Sequence, residues 1–270
     1  MAVAHRLHEM AGEKPKSTSQ QGPRLTTPKA KRARTSKAPS VVDRVLAPYR
    51  WLVRWSFRTA LGLVVLALLI VGLFGIVTPP TTHTMWSEGR RLGSSVTQVW
   101  ADPEAIAPVM MRSAVAAEDA NFCLHWGFDV DAIQAAIEAG GARGASTISQ
   151  QVVKNVFLWQ DRSWLRKGME AVLTPVTEAA WSKQRILEIY LNVAEFDEGV
   201  FGVQAAARHY FGVDAADLSA SQAARLAAVL PSPKTRSASR PSNFVERRAR
   251  QIRAGAETIR QDGRAACFGG

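Results

Sequence analysis

Residues 59–77, TALGLVVLALLIVGLFGIV, carry no charged side chain. As a helix this run rises roughly 30 Å, the thickness of a bilayer's hydrocarbon core. A cleaved leader has a shorter apolar stretch with a small-residue site behind it. Here about 58 residues precede the run and Thr-Pro-Pro-Thr-Thr follows it. The run therefore predicts one retained transmembrane helix. Arg50, Arg54 and Arg58 flank its N-terminal side, with Trp51 and Trp55 placed as interfacial anchors. That asymmetry predicts residues 1–58 in the cytoplasm and residues 78–270 outside the membrane.

The formal charge of +11 belongs to the arm before this helix. Residues 1–58 hold 13 of the 34 Lys and Arg and 3 of the 23 Asp and Glu, leaving 21 against 20 in the other 212 residues. A near-neutral domain removes most of the support for a nucleic-acid binder. Residues 1–40, rich in Lys, Ser, Thr and Pro, read as a disordered arm; residues 41–58 read as juxtamembrane. Residues 78–260 form the candidate domain and 261–270 a frayed tail. The two cysteines, Cys123 and Cys267, are expected to be unpaired thiols, although an oxidising compartment would allow a disulfide. The five histidines show no ligand spacing, so no metal site is expected.

Beyond Pro79-Pro80 the pattern is mainly α. Segments of 3.6-residue period fall near 104–120, 130–139, 147–158, 164–191, 200–210, 219–229 and 243–260. Gly140-Gly141 should stop one helix. Thr147 to Gln150 reads as a capping box, and Ser219 to Gln222 as the start of another helix. Pro175 should kink or split segment 164–191.

Four polar clusters punctuate these helices. The first is Glu118-Asp119-x-x-Phe122-x-x-His125-x-Gly127-Phe128-Asp129, a helix end with two adjacent acids, of which the bland reading is solvation. The second is Gly144-Ala145-Ser146-Thr147-Ile148-Ser149-Gln150-Gln151-Val152-Val153-Lys154-Asn155, a polar helix start of the kind that attracts anions. The third, Arg166-Lys167-Gly168-Met169-Glu170, taken alone is a local ion pair of little worth. The fourth, Lys183-x-x-Ile186-Leu187-Glu188-x-Tyr190-Leu191-Asn192, reads mostly as packing.

In this order the clusters resemble the peptidoglycan glycosyltransferases, glycosyltransferase family 51, over roughly residues 80–255. The family pattern runs E-D-x-x-F-x-x-H-x-G, G-x-S-T-I-x-Q-Q-x-x-K-N, R-K-x-x-E and K-x-x-I-L-E-x-Y-L-N, and each position is kept. Ser149 stands where Thr is common, and Gln222 where Glu is frequent. The resemblance implies a lysozyme-like helical domain that polymerises lipid II at a bacterial inner membrane, and no transpeptidase domain fits in the residues that follow. It also implies Glu118 as general base and Glu170 as the second essential carboxylate, orienting cations or donor. Lys154, Arg166 and Lys167 would hold the departing pyrophosphate. Ser146, Gln150, Gln151 and Asn155 would touch sugar or phosphate, with Asp119 and His125 orienting. No cofactor is required, and assistance by a divalent cation stays open, as do protein partners in cell-wall synthesis or division.

The substrate's lipid tail implies a domain seated on the bilayer. Residues 155–165, with Phe157, Leu158, Trp159, Trp164 and Leu165, are the candidate interfacial loop, unless Phe157 and Leu158 are core. Two rival functions remain. One is a lytic transglycosylase or muramidase, which would need two flanking carboxyls and no cation cluster. The other is an inactive membrane scaffold.

Overall fold

The computed structural model describes residues 41–140, 144, 146–161 and 163–269. The proposed disordered arm (1–40), residues 141–143, Ala145, Arg162 and Gly270 lie outside the described residues. The described residues include ten α-helices and three short strands. The chain divides into two units, one ending at Trp55 and one beginning at Ser56. In the first, the rings of Trp51 and Trp55 lie 6.1 Å apart.

Helix α1 spans Val41–Phe74, and its stretch Pro48–Phe74 is long and apolar enough to cross a membrane. The helix thus starts well before the charge-free run and stops three residues short of its end. Gly75 follows, where an added Cβ would stand 2.9 Å from the Trp181 ring. That close approach lets the Trp181 indole donate to the Val71 carbonyl at 2.7 Å. Arg185 also donates to the carbonyls of Phe74 and Val77, each at 3.0 Å.

The remaining helices are α2 (His83–Leu92), α3 (Pro108–Glu118), α4 (Val130–Glu138), α5 (Ile148–Phe157), α6 (Trp164–Ala180), α7 (Lys183–Val193), α8 (Val203–Phe211), α9 (Ala220–Val229) and α10 (Asn243–Gln261). Strands β1 (Thr97–Gln98), β2 (Glu195–Asp197) and β3 (Val200–Phe201) form one sheet in the order β1-β3-β2, parallel between β1 and β3 and antiparallel between β3 and β2. The mainly α expectation therefore holds.

Most starts are set by a short polar side chain that takes an otherwise orphaned amide. Thr82, Asp129, Ser163, Ser182 and Ser242 do this for α2, α4, α6, α7 and α10. The expected capping box of Thr147 with Gln150 is complete, and the helix start expected at Ser219 is a second one, Ser219 with Gln222. Helix α3 packs on α9 and α10, and α5 on α6 and α7. The core between them contains Met110, Phe122, Ile148, Val152, Ile186, Tyr190, Leu226 and Ile252, all essentially inaccessible.

Three expectations fail. Of the expected kink or split at Pro175, the split does not occur there: α6 runs through Pro175, and the break falls at Trp181-Ser182, where Ser182 caps α7. Pro175 and Ala171, whose carbonyl loses its helical donor, both lie on the exposed face, where water can replace the missing bond. Helix α2 has no counterpart among the expected segments. Its ten residues, HTMWSEGRRL, hold only Met85, Trp86 and Leu92 as large apolar side chains, too few to register as a core helix, and its ends are set by the Thr82 cap and left-handed Gly93. Finally, Cys123 and Cys267 form a disulfide, with Cα atoms 5.7 Å apart. The tail is not frayed: Phe268 is wholly buried and meets the Phe122 ring at 6.3 Å, which carries Cys267 to its partner.

Candidate active site

Glu118 is the last residue of α3, and Asp119 turns the chain out of the helix. The Asp119 carboxylate joins two elements. Its Oδ2 accepts the Ile148 amide at 3.0 Å, at the free N-terminus of α5, and its Oδ1 meets His125 Nε2 at 2.8 Å. The turn behind His125 needs a glycine: Gly127 has φ +81°, and a Cβ there would collide with Thr174. Its carbonyl accepts the Thr147 hydroxyl at 2.7 Å, tying the same turn to the α5 cap. Lys183 adds a further tie, donating to the His125 carbonyl at 2.8 Å and to Glu178 at 2.7 Å while lying over the Phe122 ring. Asp119 and His125 are thus bonded to each other and, through Asp119, to the start of α5.

Glu118 itself is half-buried, and its Oε2 accepts from Gln151 Nε2 at 2.8 Å. Burial raises its pKa above the ordinary value, with Asp119 adding to the effect; Gln151, Arg248 and Lys154 oppose it. Lys154 lies one turn along α5 from Gln151. Burial lowers its pKa, Arg166 and Lys167 push the same way, and Glu118 pushes back. The ammonium therefore feels both the acid and the α6 cations. Glu170 is buried in α6 and pairs with both of those cations, with Arg166 directly and with Lys167 at 2.8 Å. Arg166 is fixed further by donating to the Asp161 carbonyl at 2.7 Å.

Two depressions flank this line. One, of about 200 Å³, is bounded by Glu118, Asp119, Asn121, Asp129 and exposed Ser146. The other, of about 210 Å³, is bounded by Gln151, Lys154, Asn155, Tyr190, Glu195 and the Leu230–Pro233 turn. Glu118 opens on the first, and its partner Gln151 on the second.

Gln150 departs from expectation. It is buried, its Oε1 accepts the Thr147 amide at 3.1 Å, and it lines neither depression. Its place is in the helix cap. Gln151 is primarily a partner of the acid. The carboxylates of Asp119 and Asp129 and the His125 ring can bring ligand atoms within 4.8 Å of one another. The carboxylate oxygens already accept hydrogen bonds from Ile148, His125, Ala132 and Asn121, so the trio is arranged as a brace.

Two side chains escaped the sequence reading. Arg248 of α10 donates to the Ala117 carbonyl at 3.0 Å, beside Glu118, but nothing in the pattern of α10 singles it out from its other arginines. Tyr190, read as packing, is fully buried with its hydroxyl 3.5 Å from Gln151 Oε1.

A family model described as transglycosylase matches residues 87–256. The chain belongs to the transglycosylase family. Among its relatives, the Jannaschia sp. (strain CCS1) protein called biosynthetic peptidoglycan transglycosylase is 56% identical over 239 residues, 88% of this chain and 99% of that one. Proteins of the same name from Xanthomonas axonopodis pv. citri (strain 306) and Rhodospirillum centenum (strain ATCC 51521 / SW) are 49% and 48% identical, each covering 78% of this chain and, respectively, 89% and 94% of their own. The transglycosylase match contains every candidate site residue. It leaves out α1 and the segment after α10.

Proposed function

We propose that this chain polymerises lipid II into β-1,4-linked glycan strands of peptidoglycan, releasing undecaprenyl pyrophosphate. The observation that carries the reading is the run of charge across α3, α5 and α6: a half-buried acid, Lys154 responsive to it, and a cation pair braced by Glu170.

The leaving group is a diphosphate and needs no proton from an acid. The attacking 4-hydroxyl needs a base, and the departing oxygens need positive charge. Glu118, with its raised proton affinity, draws the proton from the acceptor hydroxyl as that oxygen attacks the anomeric carbon of the growing chain. Lys154, Arg166 and Lys167 take up the charge that develops on the diphosphate. Glu170 orients the two α6 cations, and Gln151 aims Glu118. Ser146 and Asn155 lie in different depressions and contact the two substrates. One displacement inverts the donor's α-linkage to β.

The same reading places α1 across the bacterial inner membrane, with the N-terminus cytoplasmic and the domain outside. Of the candidate interfacial loop, Leu158 is core and Phe157 stacks on Phe74 at 6.0 Å, so its apolar contact with lipid passes to Trp164 and Leu165, 92% and 69% exposed.

The test is incubation of the detergent-solubilised full chain with labelled lipid II, with and without moenomycin. Moenomycin-sensitive polymer is expected. Consumption of pre-formed glycan with no use of lipid II would instead favour the hydrolase, and inertness toward both would favour the scaffold.

A further inference from the structure

We propose that the segment Asp262–Gly269, beyond both α10 and the family match, is a positioning element for the Glu118 turn. This rests on the reading of Glu118 as the base. Three links of different chemistry converge on residues 120–123, just past the acid. Arg264 Nη1 donates to the Ala120 carbonyl at 2.9 Å. Cys267 is bonded to Cys123. Phe268, wholly buried, packs on Phe122, whose ring also receives Lys183 at 4.5 Å. On its other side the turn is held through Asp119 to the first amide of α5. The acid therefore sits at the mouth of a loop clamped from α5 in front and from the tail behind. Among the described residues, no hydrogen bond or ion pair joins the segment to Lys154, Arg166 or Lys167.

That separation determines what the segment does for the reaction. Releasing the tail frees residues 120–123 and lets Glu118 drift from its bond to Gln151, while the diphosphate cradle keeps its geometry. The loss falls on turnover and leaves the apparent affinity for lipid II unchanged. Displacement of a reacting group by an ångström can cost about a hundredfold, so a partial release should cost about tenfold or more.

The full chain, purified without reductant, is compared with the same chain after dithiothreitol and with Cys267→Ser, Arg264→Gln and Arg264→Lys. kcat and KM for lipid II are measured alongside circular-dichroism melts. Reduction and Cys267→Ser should each lower kcat by about tenfold or more with KM within about twofold. Dithiothreitol should do nothing further to Cys267→Ser. Arg264→Gln should lower kcat by a smaller factor, and Arg264→Lys, which keeps a donor for Ala120, should restore it. Arg264→Gln retains the disulfide and carries the test if the reduced chain melts below the assay temperature. Folded variants with wild-type kcat, or with KM rising in step with the loss, overturn the inference while leaving the proposed function intact. A folded, oxidised wild type that makes no polymer overturns both.

Discussion

At the scale of single residues, Glu118 combines two properties that oppose each other. A carboxylate at a helix end costs little in water. Here burial holds its pKa above the ordinary 4.5, so the ionised form that the reaction needs is the form the fold disfavours. Glu118→Gln keeps an acceptor for Gln151 and removes the base. Polymerisation should fall by roughly 10²–10⁴-fold, and near-normal synthesis by the folded variant would refute the assignment. The wild-type rate should also fall as pH drops through the raised pKa, a limb displaced upward from that of a solvated glutamate. Stability runs the other way. Below the unfolded value the acid is protonated in both states and costs nothing; as pH rises from there, the unfolded chain ionises first while the folded one resists, and the cost is complete once pH has passed the folded pKa. Glu118→Gln should therefore melt higher than wild type at neutral pH, with the gap closing in acid. A melting point below wild type at neutral pH would count against this burial.

At the scale of elements, α5 carries the acid's partner and the first cation, and its start is tied in three ways. Thr147 accepts the Gln150 amide, Gln150 returns to the Thr147 amide, and Asp119 takes the Ile148 amide. Thr147→Ala removes a cap worth about 1 kcal/mol and strands the buried Gly127 carbonyl, at about 1–3 kcal/mol. At roughly 2–4 °C per kcal/mol for a domain of this size, the melting point should drop by about 4–15 °C; a drop under about 2 °C would mean that Asp119 alone holds the helix start. This cap was legible because Thr and Gln three apart before an apolar run is a local signal. So were the α3, α4, α9 and α10 segments, through their periodicity. Helix α2 was not, since its face is too polar to register. The break after α6 was read at Pro175 because the sequence does not tell which face of a helix meets water. Arg248 and the Cys123–Cys267 bond were illegible for a shared reason: each joins the first turn of the site to α10 or its tail, more than a hundred residues later. Only packing brings them together.

At the scale of the whole molecule, an acceptor and a donor whose lipid tails both stay in the bilayer must meet in one site, so the height of the site above the membrane matters. The stretch long and apolar enough to cross a membrane ends at Phe74, and the Phe74 ring stacks on Phe157, the last residue of the helix that carries Lys154. Trp181 and Arg185 hold the same junction through the carbonyls of Val71, Phe74 and Val77. From Phe157 a short connection leads to Trp164, Leu165, Met169 and Val172, an exposed apolar stripe along α6, the helix of Arg166, Lys167 and Glu170. An apolar face beginning beside the end of a membrane helix is favourably placed in the interface, where an indole gains contact with both acyl chain and headgroup. In proteoliposomes of the full chain, brominated lipids should quench wild-type tryptophan fluorescence more than that of Trp164→Ser, with the difference lost in detergent free of brominated lipid. Trp164→Ser with Leu165→Ser should also slow polymerisation on vesicles more than in detergent, because only on vesicles does the depth of α6 decide whether the cations reach the diphosphate. Equal quenching of both proteins, with equal activity on vesicles, would mean that α1 alone sets the height of the site.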